Sequence, residues 1–223
     1  MKSKNIICNP WLLERSRLFS KYGECEPTIT EVVNVRFTKP YAGWIDMYFS
    51  INGEEKGFIR LSSCYEPFQD IKEWLEGIIQ EEKKYAYGPR MVGIDSEGYG
   101  AALYFEPMVI IGNGWNGLDP WRCENTGIFY VYDGYDDKIL ADAFCERRQL
   151  VKVIYESIIN YAKEMQDNPD FIEDWVWDAY NNEMEPNNED SPELKDFFLN
   201  KVRSEFIEEY IKNGVEPRYG QIK

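Results

Sequence analysis

Residues 167–193, DNPDFIEDWVWDAYNNEMEPNNEDSPE, hold ten carboxylates, no lysine or arginine, and the aromatics Phe171, Trp175, Trp177 and Tyr180. Carboxylates in such a run can pair with cations on another protein, and an indole among them adds a cation–π surface. Phe171 and Trp175 stand four apart, one helical turn, which predicts that both face a core. Trp177 then falls on another side, beside Asp170, Glu173, Asp174 and Asp178. An acidic helix kept wet on one side and anchored by two core aromatics accounts for the same residues, so both readings stay open. On the first, Asp170, Glu173, Asp174, Trp177, Asp178 and Tyr180 are partner contacts. The glycine-rich loop GNGWNGLDPW, residues 112–121, adds Trp115 and Trp121 as candidate interface anchors or as pins of a long strand connection. It matches neither of the glycine patterns that cradle phosphates.

Other chemistries are narrowed by what the chain lacks. It has no histidine, which removes Ser–His and Cys–His nucleophile pairs and His-containing zinc sites. Its five cysteines, Cys8, Cys25, Cys64, Cys123 and Cys145, are scattered without a CxxC pair, which predicts reduced thiols and a cytoplasmic setting. No metal or cofactor is expected. YDGYDDK, residues 132–138, fails the spacing of a calcium loop and suits a hairpin turn. Arg147 and Arg148 stand where a helix should begin, the end that disfavours cations, and either gripping an anion or pairing with Asp142 or Glu146 would explain them. With 40 acids against 25 bases the net charge is -15, a balance that repels nucleic acid and anionic membranes and attracts a basic protein. A carboxylate-dependent enzyme acting on a small molecule or sugar stays open, because no acid pair is singled out by spacing.

The elements that must position these residues read as an α+β fold. TEVVNVRFT (30–38), GWIDMYFSI (43–51) and KGFIRLSSC (56–64) predict three strands, the last two joined by an Asn52-Gly53 hairpin. PFQDIKEWLEGII follows, with Pro67 at a first helical position and Phe68, Ile71, Leu75, Ile78 and Ile79 on one stripe, so Trp74 reads as scaffold. MVGID and GYGAALYFEPMVII flank a turn at Ser96-Glu97-Gly98; GIFYVY and KILADAF flank one at Asp133-Gly134. CERRQLVKVIYESIINYAKEM then predicts a second long helix with Leu150, Val151, Ile154, Ile158, Tyr161 and Met165 on one face. The halves overlay at a shift of 81, Asn52-Gly53 on Asp133-Gly134 and Cys64 on Cys145. The expectation is therefore one antiparallel sheet with both helices on one face, built from repeats at 28–83 and 91–166. Residues 1–166 form that domain. Residues 167–223 add the acidic segment and one closing helix over 191–214, capped by Ser191 and Pro192 and ended by Gly214, with Leu194, Phe198, Val202, Phe206 and Ile211 turned inward.

The run PFQDIKEWLEGI, the strands before it and RRQLVKVIYESIINYA together resemble small cytoplasmic bacterial proteins, some of them similar to immunity proteins of polymorphic toxin systems. The resemblance covers residues 30–165 and carries no catalytic signature. It implies a single-domain binding protein that neutralises a toxin. An anti-defence protein that mimics the charge of DNA is the alternative inhibitor, and it would need carboxylates spaced like phosphates.

Overall fold

The computed structural model of the chain describes residues 17–18, 20–21, 30–80, 90–98, 100–110, 122–177 and 192–213. Among them seven strands form two antiparallel sheets rather than one. The first sheet is a meander of β1 (Val33–Phe37), β2 (Trp44–Ile51) and β3 (Glu54–Ser62). Helix α1 (Pro67–Gln80) separates it from the second meander, β4 (Arg90–Asp95), β5 (Gly100–Ile110), β6 (Arg122–Asp133) and β7 (Lys138–Glu146). Helix α2 (Arg147–Met165) leaves β7 without a break.

Two sheets rather than one follow from how much apolar face there is to cover. Seven strands side by side would span roughly 33 Å, whereas two helices of about 10 Å diameter would roof some two thirds of that. Facing the sheets inward solves the problem. Ile45, Met47, Phe49 and Ile51 of β2 alternate into a core shared with Leu103, Phe105, Phe129 and Val131 of the second sheet, and all are buried. Phe49 meets Phe129 across the gap with ring centroids 6.1 Å apart. The helices close the remaining sides, with the α1 stripe Phe68, Ile71, Leu75, Ile78 and Ile79 in this core together with Trp74. All six residues expected on the inner face of α2 are buried there too. The other face of the second sheet makes a smaller cluster of Ala102, Tyr104, Ile128, Tyr130 and Phe144 with Leu18.

Turn chemistry sets the registers. Ile51 pairs with Glu54 around Asn52 and Gly53, whose φ of +52° and +84° give the mirror-image turn that matches strand twist. At the second site Asp133 pairs with Lys138, so the loop is four residues long and the left-handed position falls on Asp137. The outer edge of β1 is covered by α2, where Gln149 Nε2 donates to Val33 O at 2.9 Å and Ser157 Oγ donates to Val35 O at 3.1 Å. That cover removes one edge from unwanted strand pairing.

The C-terminal region departs from the single predicted helix. It forms α3 (Pro192–Val202) and α4 (Glu205–Asn213), broken at Ser204. Ser204 caps α4 by accepting the Ile207 N–H on its Oγ at 3.2 Å, while that hydroxyl donates to Glu76 at 2.6 Å. The break resets the helical phase. Phe198 and Val202 are buried as expected, but Phe206 is left exposed, and Ile207 and Tyr210 enter the core in its place. Ser191 and Gly214, the expected ends, lie outside the described residues. No described helix is long and apolar enough to cross a membrane.

Candidate functional site

Half of the first sheet faces the core, and strand alternation sends the other half outward. The outward positions form cross-strand rows, Arg36–Tyr48–Phe58 and Asp46–Arg60, with Trp44 beside them. The Arg36 guanidinium lies 3.8 Å from the centre of the Tyr48 ring, and Tyr48 meets Phe58 at 5.0 Å. In the next row Arg60 Nε donates to Asp46 Oδ1 at 2.9 Å, and the Tyr41 hydroxyl sits 3.1 Å from both Asp46 oxygens. The Arg60 guanidinium stands 5.8–5.9 Å from the ring centres of Tyr41, Trp44 and Phe58. Asp46 is buried beneath this group, whereas Tyr41 and Phe58 remain 41% exposed.

The electrostatics of the face are local and nearly closed. The hydrogen bond from Arg60 to Asp46 holds the guanidinium pKa above its ordinary value. Burial, followed by the hydrogen bond to Asp46, raises the Tyr41 phenol, so it stays a neutral donor. Arg36 is paired with Glu55 at 2.6 Å. Both arginines are thus fixed in direction and neutralised by carboxylates of the same sheet. A face of arginine and aromatic side chains has the composition of protein-interface hot spots.

The acidic segment lies on a different side. Asn168 caps a helical turn at Pro169–Phe171 by accepting the Phe171 N–H at 3.0 Å, and the chain continues as a π-helix over Ile172–Trp177. The wider turn puts Phe171, Trp175 and Val176 all in the core, so both predicted anchors are inside. Phe171 packs edge-on against Phe198 with centroids 4.9 Å apart. Asp170 and Glu173 are exposed. Asp174 is half-buried and accepts the Gly43 N–H at 2.8 Å, which ties this segment to the β1–β2 turn. Trp177 closes the π-helical turn. Asp178, Tyr180, Trp115 and Trp121 lie outside the described residues.

A cavity of about 230 Å³ opens where α1 begins, between the β3–α1 connection, the π-helical turn and α3. Phe68, Trp175, Phe198 and Val202 give it apolar walls, and Cys64, Glu66, Asp174 and Lys201 its polar ones. Its charges are already engaged: Lys201 with Glu66 at 2.6 Å, and Asp174 with the Gly43 amide. Near the α2 start, Arg147 is buried with its guanidinium 5.8 Å from the Phe105 ring centre. Arg148 donates to Ile211 O near the end of α4, so it serves a helix C-terminus rather than Glu146, while Asp142 takes Lys21. Among the described residues no three His, Cys, Asp or Glu side chains gather as a metal site.

Sequence reasoning passed over Arg36, Tyr41, Trp44, Tyr48, Phe58 and Arg60. The available signal was the strand β2 itself, in which the residues alternating with Ile45, Met47 and Phe49 include Trp44 and Tyr48, too aromatic for an ordinary wet face. No family model, curated protein or solved structure matches this chain.

Proposed function

We propose that this chain is an acidic, non-enzymatic protein-binding module of the immunity or inhibitor type, which neutralises a basic protein such as a toxin. The observation that carries the reading is the outward-facing Arg36–Tyr48–Phe58 row, in which Arg36 and Phe58 are exposed and Tyr48 half-buried, with Tyr41, Trp44 and Arg60 beside it. Such side chains give large contact area at small entropic cost, and they are held in place by the Asp46 and Glu55 carboxylates. Charge supports the second half of the reading. Twenty-five bases can neutralise at most 25 of 40 acids, which leaves at least 15 carboxylates without a cation of their own. The field steers a basic partner toward the molecule, and the neutral aromatic face supplies short-range grip. Exposed Asp170 and Glu173 belong to the steering charge; Asp174 acts through its tie to Gly43.

The two meanders, each leading into a long helix, are in this reading one duplicated unit. The copies then differ by one strand, three in the first sheet and four in the second, and by hairpins of two and four loop residues.

Affinity capture from extract of the native cells, at low salt and again at 0.5 M salt, is the test. The expected catch is a protein of high isoelectric point that elutes with salt and is lost from a Tyr48→Ala/Phe58→Ala variant. A partner that is acidic, or one whose retention ignores both salt and the sheet-face variant, would overturn the reading.

A further inference from the structure

The first sheet has a second edge. Strand β3 pairs with β2 alone, and its far side faces a groove of about 700 Å³. The opposite wall is made by Ser96, Glu97, Gly100 and Ala101 around the β4–β5 turn and by the β6–β7 loop. The Ser96 hydroxyl donates to the Arg60 carbonyl, which shows that the Arg60 peptide groups point away from β2. Alternation then turns the Phe58 N–H and C=O the same way, along with the Arg60 N–H. Among the described residues none of these three groups has a hydrogen-bond partner. Unclaimed ladder groups beside an open groove are what an added strand requires.

Charge decides which strand fits. The groove has three cations, and each is paired by a carboxylate of its own: Lys56 with Glu54 at 2.7 Å, Arg60 with Asp46 at 2.9 Å, and Lys138 with Asp136. Two of its acids are held differently. Glu97 accepts from the Ser62 hydroxyl at 2.9 Å and from the Cys64 thiol, and Asp133 accepts from the Tyr135 N–H at 2.9 Å. Those donors are neutral, and among the described residues neither carboxylate makes an ion pair, although Asp133 adds to the negative field at Lys138 beside Asp136. Tyr135, 69% exposed, stands at the rim.

We infer that the β3 edge takes an extended, lysine- or arginine-bearing segment of the partner protein as a fourth strand. Its backbone pairs with Phe58 and Arg60, and its basic side chains reach Glu97 and Asp133. This rests on the basic-partner reading above and names the mode of contact.

The test uses amide hydrogen exchange of the full chain with a ten-residue peptide of alternating lysine and valine. Two control peptides accompany it: the same sequence with alternate backbone amides N-methylated, and its glutamate–valine counterpart. The Lys–Val peptide is expected to slow exchange at Phe58 and Arg60 by at least about tenfold, and neither control to do so. A Glu97→Gln/Asp133→Asn variant should bind it about five- to tenfold more weakly. If the peptide binds but leaves both amides unchanged, or if it fails to bind, the edge inference falls; the capture of a salt-eluted basic protein decides the broader reading separately. Protection of both amides already in the free chain would also overturn it, since a segment of this chain, or a second copy if protection rises with concentration, would then fill the edge.

Discussion

At the scale of single residues, the two described thiols stand in opposite environments, and that difference has a measurable consequence. Cys64 is exposed on the β3–α1 connection, whereas Cys145 is fully buried in β7, where burial pushes its pKa up to about 12. Alkylation of the native protein at pH 8 should therefore label Cys64 and spare Cys145, and mass mapping of the labelled peptides will show which. Stability carries the same signature. An unfolded cysteine ionises near pH ~8.5, and the folded one holds its proton up to about 12, so the unfolded state loses protons first as pH rises. Stability must fall from about pH 8.5 upward. Burial also raises Tyr132 and Tyr155, each to about 12, and their share of the loss begins near pH ~10. The expected result is a urea midpoint that declines from pH 8.5 and steepens above 10, with the first part of the decline missing in Cys145→Ala. A midpoint flat to pH 10 in the wild type would show that Cys145 ionises in the folded state as readily as in the unfolded one.

Between elements, the join at Ser204 gathers contacts from three helices. Its N–H donates to the Tyr155 hydroxyl at 2.9 Å, its own hydroxyl donates to Glu76 on α1, and its oxygen caps α4. Ser204→Ala removes the cap and strands a carboxylate partner, at a cost of about 1–2 kcal/mol. Asparagine, which also caps, should recover part of that; equilibrium urea unfolding measures both. The same residue shows why some of the fold was readable and some was not. Local signals carried the hairpin at Asn52-Gly53, the start of α1 at Pro67, the inner face of α2 and the anchors Phe171 and Trp175. Each depends on a few neighbouring residues. The break at Ser204 depends on Tyr155 and Glu76, far away in sequence, and no periodicity inside 191–214 reports them. The division into two sheets is likewise a matter of total apolar area, which strand-by-strand reading does not sum. For the candidate site, the acidic segment announced itself by composition. The arginine–aromatic face did not, because strand-by-strand reading leaves open which alternate residues of β2 and β3 turn outward until pairing and the second sheet fix the buried side.

For the molecule as a whole, the net charge of -15 makes two opposite demands on salt. Uncompensated carboxylates repel one another in the folded state, and that repulsion is screened as the Debye length shrinks from about 30 Å at 0.01 M to about 8 Å at 0.15 M. Seven ion pairs among the described residues lose attraction under the same screening, but most are surface pairs worth little. The excess of 15 acids outweighs them. The melting temperature of the free protein should therefore rise between 0.01 and 0.2 M salt, and calorimetry at matched pH will show it. A basic partner sees the same carboxylates as attraction, so its association rate should fall over that salt range, most steeply at the low end. Exchanging Asp170 and Glu173 for lysine removes two negative charges from the exposed acidic segment and adds two positive ones in their place. It should stabilise the free chain at low salt while slowing association. A neutral aromatic contact without electrostatic steering would leave association indifferent to both changes, and a fold held chiefly by its ion pairs would melt earlier as salt is added. The pair of measurements thus separates what the acids do for the molecule from what they do for its partner.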